Sequence, residues 1–191
     1  MKHLYVTLVA KALVAAVILI SAAHAEDETG RTNAVSTAGV HGFDFEFGDW
    51  RVHHRVKRSG AQQWLEFDGT CTVRSIMDGT GNVEEHRFHK PDGVTHGIAL
   101  RAYDPKTNQW AIWWVDGRNP HGPLDPPTVG RFDNGVGTFY WDGVVNGQQI
   151  RTRFIWSQIT PAAAHWEQAN STDGGKSWQV NWSMDFRRVQ P

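Results

Sequence analysis

The chain has 191 residues, with 10 Trp, 9 Phe, 3 Tyr, a single Cys and a formal charge of −1. That length fits one domain, two at most. One Cys excludes an internal disulfide framework and a multi-Cys zinc ribbon, and the near-neutral charge argues against nucleic acid or an anionic membrane surface as the main partner.

The N-terminal residues carry the marks of a secretory signal. Lys2 gives a short basic start, Ala12 to Ile20 is unbroken apolar sequence, and Ala23-His24-Ala25 offers small residues around a cleavage point. The apolar run is too short to span a bilayer, which takes about 20 residues. Residues 1–25 are therefore expected to be removed, leaving a periplasmic or secreted protein with no transmembrane segment. Residues 26–41 are polar, rich in small residues and aperiodic, and read as a flexible leader. Residues 42–191 read as a single domain.

From there the pattern is that of an all-β protein. Leucine is scarce after the signal (Leu65, Leu100 and Leu124), whereas valine and aromatic residues abound. Turn dipeptides punctuate the chain at Ser59-Gly60, Asp78-Gly79, Asp92-Gly93, Asp104-Pro105, Asp116-Gly117, Asn134-Gly135, Asp142-Gly143, Asn146-Gly147 and Gly174-Gly175. Between them lie short runs of period-2 alternation. Val52, His54 and Val56 share one face; so do Trp110, Ile112 and Trp114. Thr152, Phe154 and Trp156 form a third set, and Trp178, Val180, Trp182, Met184 and Phe186 a fourth. Nine or ten strands at hairpin spacing predict an antiparallel up-and-down β-barrel, wide enough for one small ligand. Asn119 to Pro127, with four prolines and no strand pattern, is expected to be a loop over one rim.

Gly48-Asp49-Trp50, just before the first strand, resembles the G-x-W motif that opens lipocalins and related calycin barrels. Phe43-Asp44-Phe45, Tyr103-Asp104-Pro105 with Trp110, and the stretch Ser171 to Trp178 extend the likeness to a family of exported bacterial lipocalin-like domains of unknown function. The resemblance implies structural duties for Gly48 and Trp50. Trp50 would close one end of the barrel, and a basic residue of the last strand, Arg187 of the Arg187-Arg188 pair, would pack across it. Ser171 to Trp178 also fits an Asp-box hairpin, in which Asp173 caps turn amides and Trp178 anchors the strand.

Chemistry is less plainly written. His86 and His89 are an odd number of residues apart, so a regular strand points them to opposite faces, and His53 and His54 diverge likewise. His165 and Glu167 share a face but supply at best half a zinc site. No metal and no cofactor are expected, since phosphate-loop, dinucleotide and nucleophile-elbow motifs are all lacking. Acid–base work inside the barrel would draw on His54, Glu85, Arg101, Arg153, His165 and Glu167, which otherwise read as solvated residues of the outer face, the commoner place for charges on a half-exposed strand. Trp114, Tyr103, Trp141, Trp156 and Trp182 are the candidate ligand-binding residues. The expected function is binding of a small hydrophobic or aromatic molecule. A cofactor-independent isomerase, lyase or hydratase is one alternative, and a structural or partner-binding envelope protein is another. Which strand faces point inward is open, because a one-residue slip exchanges them.

Overall fold

The computed structural model describes residues 36–58 and 60–190. The signal segment, most of the leader and Ser59 lie outside the described residues. Ten strands follow one another: β1 (Gly48–Val56), β2 (Leu65–Ile76), β3 (Gly81–Lys90), β4 (Gly93–Asp104), β5 (Gln109–Asp116), β6 (Thr128–Asp133), β7 (Val136–Val145), β8 (Gln148–Ser157), β9 (Ala163–Ser171) and β10 (Gln179–Arg188). Each pairs antiparallel with its neighbours in sequence, and β1 pairs with β10, so the sheet closes as an up-and-down barrel. Closure leaves no strand edge unpaired, and packing in place of disulfides can then hold the domain together. No described helix is long and apolar enough to cross a membrane.

The turns work as their dipeptides require. Asn134-Gly135 and Asn146-Gly147 each place two residues at positive φ between the pairs Asp133–Val136 and Val145–Gln148. This is the two-residue hairpin whose twist matches the strands. At Ser171 to Trp178, Asp173 accepts the amides of Lys176 and Ser177, both at 3.0 Å, and the hydroxyls of Ser171 and Ser177. Those donors hold its carboxyl below the usual carboxylate range.

The two barrel ends differ. At the end where β1 begins, residues 39–46 form two 3-10 turns, Gly39–His41 and Asp44–Glu46, that plug the opening. Phe43 is fully buried there, edge-on to Trp110 at 5.1 Å and to Phe132 at 5.0 Å. Trp110 donates its indole N–H to the Gly39 carbonyl at 3.0 Å, and Trp50 donates to the Glu46 carbonyl at 2.6 Å. The last residues assigned to the leader are thus part of the closed end. The basic residue across Trp50 is Arg188, whose guanidinium lies 4.2 Å from the ring centre and donates to the carbonyls of Phe45, Phe47 and Pro161. Arg187 is exposed on the outer face. The register explains the correction: Arg188 is the partner of inward-facing Trp50, and strand parity turns Arg187 outward.

The opposite end, where β1 finishes, is open. Its rim carries the Asn119–Pro127 segment, which lies between β5 and β6 as the prolines suggested. One further departure occurs in β10. The register shifts between Val180 and Trp182, and the bulge puts Trp182, Met184 and Phe186 inward but leaves Val180 exposed and Trp178 packed outside against Tyr140. The five residues from Trp178 to Phe186 therefore do not share one face.

Candidate functional site

Between the plug and the open rim lies a cavity of about 630 Å³. Trp114, Trp141, Phe154, Trp156, Trp166 and Trp182 supply most of its wall, and Glu84, His86 and Arg101 its polar floor. Asp125 and Pro126 of the rim loop, with Val144, Val145 and Asn146 of the β7–β8 hairpin, frame the mouth. A second, smaller hollow of about 110 Å³ opens at the same end beneath Lys90, Arg58 and Arg118. Trp114 and Trp182, edge-on at 6.1 Å, border both spaces and divide them. Trp114 can lean across the mouth because Gly97 lies under it: a Cβ there would meet the indole at 2.2 Å.

The floor is built from one level of the barrel. Arg101 on β4 is 2% exposed and reaches three neighbours. It donates to Glu46 of the plug at 2.5 Å, to the Asn82 side-chain oxygen at 3.1 Å, and to Glu84 Oε2. Its guanidinium also rests 4.3 Å from the centre of the Phe43 ring, so Arg101 is the boundary between the aromatic plug and the cavity. Glu84 Oε1 accepts His86 Nε2 at 2.6 Å and the Cys71 thiol at 3.5 Å. Burial raises the Glu46 carboxyl against the pull of Arg101, and burial lowers Arg101. Burial also takes His86 down to about 4 and lifts the Cys71 thiol well above its ordinary range. The floor is a buried, hydrogen-bonded cluster of ionisable groups in which His86 is neutral.

His54 stands one level nearer the mouth. It is fully buried, stacks on Phe67 at 4.9 Å and accepts the Trp182 indole N–H at 3.4 Å through Nδ1. Burial above all, with His86, His53 and Lys90 opposing a further positive charge there, lowers its pKa to about 2.

The expected site residues divide accordingly. Trp114, Trp141, Trp156, Trp182 and Arg101 line the large cavity. Tyr103 does not: it lies at the plugged end, where its hydroxyl donates to Asn108 at 2.9 Å and its ring packs on Trp110. His54 is inside but walled off behind Trp182. Glu85 is exposed on the outer face of β3. His165 and Glu167 also face outward, bonded to Asp185 at 2.7 Å and Arg153 at 3.4 Å. Arg153 covers Trp178 at 4.4 Å. Strand parity places Arg153, His165 and Glu167 opposite the inward residues Trp156 and Trp166 of the same strands. Glu46, Asn82, Glu84 and His86 were not among the candidates. Period-2 alternation around Phe88 would have put His86 and Glu84 on one face, but nothing in the sequence marked that face as interior.

Residues 41–121 match the family described as "Protein of unknown function (DUF1579)". No curated protein matches the chain. Among solved structures, Rv2717c from M. tuberculosis superposes with a TM-score of 0.55 at 10% identity, over 80% of this chain and 98% of that one. That likeness concerns the barrel fold. A designed fluorescence-activating β-barrel gives 0.42 at 12% identity, over 76% of this chain and 95% of that one. A protein of unknown function of the DUF3598 family from Nostoc punctiforme gives 0.41 at 12% identity, over 77% of this chain and 48% of that one.

Proposed function

We propose that the protein is a calycin-like carrier or receptor that binds one small amphipathic molecule. Its aromatic or aliphatic body would lie against Trp114, Trp141, Phe154, Trp156, Trp166 and Trp182, with a polar end directed at the Glu84–His86–Arg101 floor. The observation that carries this reading is the cavity of about 630 Å³ at the unplugged end. Small-molecule sites typically measure about 300–1,000 Å³, with apolar walls and a few convergent polar groups. A barrel filled by its own tryptophans would have favoured the envelope-protein alternative, and the cavity speaks for the ligand-binding reading instead.

Titration with N-phenylnaphthylamine tests the proposal. Saturable quenching of tryptophan fluorescence by one equivalent is expected. Ala99, buried on the cavity wall, becomes the blocking position: Ala99→Trp should abolish the saturable phase. Equal binding by Ala99→Trp, or no saturable phase in either protein, would count against it.

A second reading, cofactor-free acid–base catalysis, is favoured by the short Glu84–His86 contact inside the cavity wall. It requires that a bound molecule be turned over and that Glu84→Gln stop turnover but not binding. Export is part of the proposal, resting on the apolar run Ala12 to Ile20 and Ala23-His24-Ala25. A mature N-terminus at Glu26, read by mass spectrometry of protein from a bacterial periplasm, is the expected result.

A further inference from the structure

The floor of the cavity brings a thiol, an imidazole and a carboxylate together. Cys71 on β2 pairs in register with His86 on β3, and Glu84 precedes His86 by two residues on the same face. One donor atom from each lies within 4.8 Å of the others, and all three residues are buried. A thiol, an imidazole and a carboxylate converging from two adjacent strands form a mixed soft and hard donor set, the kind that zinc-like divalent cations select.

We propose that Cys71, Glu84 and His86 bind one divalent transition-metal ion, with its remaining coordination position turned to the cavity. Glu84 and His86 line the cavity and Cys71 does not, so the open side of the ion faces the space where a ligand would sit. Three protein donors with one open position is the arrangement of catalytic rather than structural zinc sites.

Two observations beyond the donor cluster support the assignment. Glu84 divides its two oxygens: Oε1 faces Cys71 and His86, and Oε2 is held by Arg101, the outer-shell contact that fixes a ligating carboxylate. His86 Nε2 lies 2.6 Å from Glu84 Oε1 and the buried Nδ1 has no hydrogen-bond partner among the described residues, so the ring proton can sit on Nδ1 and leave Nε2 to ligate beside Glu84. On binding a dication the Cys71 thiol gives up its proton to solvent and ligates as the thiolate, the His86 ring proton is carried on Nδ1, and no electron is transferred.

The assignment goes beyond the ligand-binding proposal and fails separately from it. Protein stripped with a chelator and dialysed is titrated with Co(II) and followed by absorption. One equivalent should bind and give a thiolate-to-Co(II) charge-transfer band in the near ultraviolet, with ligand-field bands of low-symmetry four-coordination. Cys71→Ala removes few atoms and should fold, as circular dichroism would verify; it should lose the charge-transfer band entirely. His86→Gln should weaken Co(II) binding at least about tenfold, the size of effect that even outer-shell changes produce. Co(II) binding without that band, a band that persists in Cys71→Ala, or no equivalent bound would each overturn the site. Titration of the stripped protein with N-phenylnaphthylamine reports on the cavity independently.

Discussion

Lowering the pH from 7 to 5 should weaken the fold through two interior histidines, and the size of the effect can be worked out. His54 is fully buried, and its pKa lies at about 2 in the native state. In an unfolded chain a histidine titrates near 6.5. The unfolded chain therefore takes up the proton first, so the native state loses relative stability as pH falls below about 6.5. Between pH 7 and pH 5 the unfolded histidine gains about 2 kcal/mol of proton binding that the native one does not. His86, at about 4, adds nearly the same. Together they remove about 4 kcal/mol from a total that for a domain is only about 5–15 kcal/mol. Structure gives the reason His54 resists: protonation at Nδ1 would set two N–H donors against each other at the Trp182 indole, 3.4 Å away. Glu46 and His53 have raised pKa values and work in the opposite direction, so the clean readout is a difference between proteins. Urea unfolding followed by tryptophan fluorescence at both pH values, on the wild type and on His54→Gln, isolates one histidine. The wild type should lose about 1 M more in urea midpoint than the variant does, taking a slope of about 2 kcal/mol/M. Equal midpoint shifts in the two proteins would refute the claim that His54 is held neutral by its surroundings.

Three further outcomes follow from the geometry. Arg101→Met leaves Glu46 and Glu84 buried without their cation and should destabilise by about 3–5 kcal/mol in urea melts, with Arg101→Lys recovering little because one ammonium cannot reach Glu46, Asn82 and Glu84 together. Gly69→Ala should cost about 1–3 kcal/mol, since the new methyl would meet the Arg87 carbonyl at 2.6 Å and His54 Nε2 at 2.9 Å; a neutral result would mean that the His54 wall is loosely packed. Arg188→Ala should lower the urea midpoint by at least about 1.5 kcal/mol equivalents through its lost carbonyl contacts, whereas Arg187→Ala should fall within about 0.5 kcal/mol of wild type.

Much of the barrel was legible because its signals are local. Asn-Gly dipeptides specify their own hairpins, and alternation such as Trp110, Ile112, Trp114 needs only neighbours two residues away. What stayed hidden depended on one-residue decisions made elsewhere in the fold. The bulge beside Asn181 turns Trp178 and Val180 away from Trp182, although all three alternate correctly in sequence. Arg187 and Arg188 are chemically alike, and only pairing with Trp50 distinguishes them. The floor cluster was the least accessible. Cys71 and His86 become partners through the register between β2 and β3, set by a turn in which Met77, Asp78 and Gly79 all have positive φ. A spacing search over histidines has no means of finding a cross-strand pair joined by so irregular a turn.

The tryptophans separate by what their indole N–H groups do. At the plugged end, Trp50 and Trp110 both donate to backbone carbonyls of residues 39–46, so each ring fills space and also ties down the segment that closes the barrel. Those two are structural by their bonding, whatever their conspicuousness in the sequence. Trp182 donates to His54 and so is held upright as part of the partition between the two hollows. Trp156 differs: its Nε1 is buried with no partner, and Thr128 Oγ1, His86 Nδ1 and Arg101 Nε, all on residues that line the large cavity, share that state. An unpaired buried polar group costs about 1–3 kcal/mol, and plug residues at the same barrel level avoid that cost by bonding backbone. Four such groups lie on residues that line the large cavity, and others, among them His54 Nε2, Asn82 Nδ2 and Thr95 Oγ1, lie elsewhere in the barrel. An aromatic-rich interior explains how a domain short of leucine and without disulfides stays folded. Within the cavity, the unpaired groups of Trp156, His86 and Arg101 are the ones that the polar end of the proposed ligand would meet.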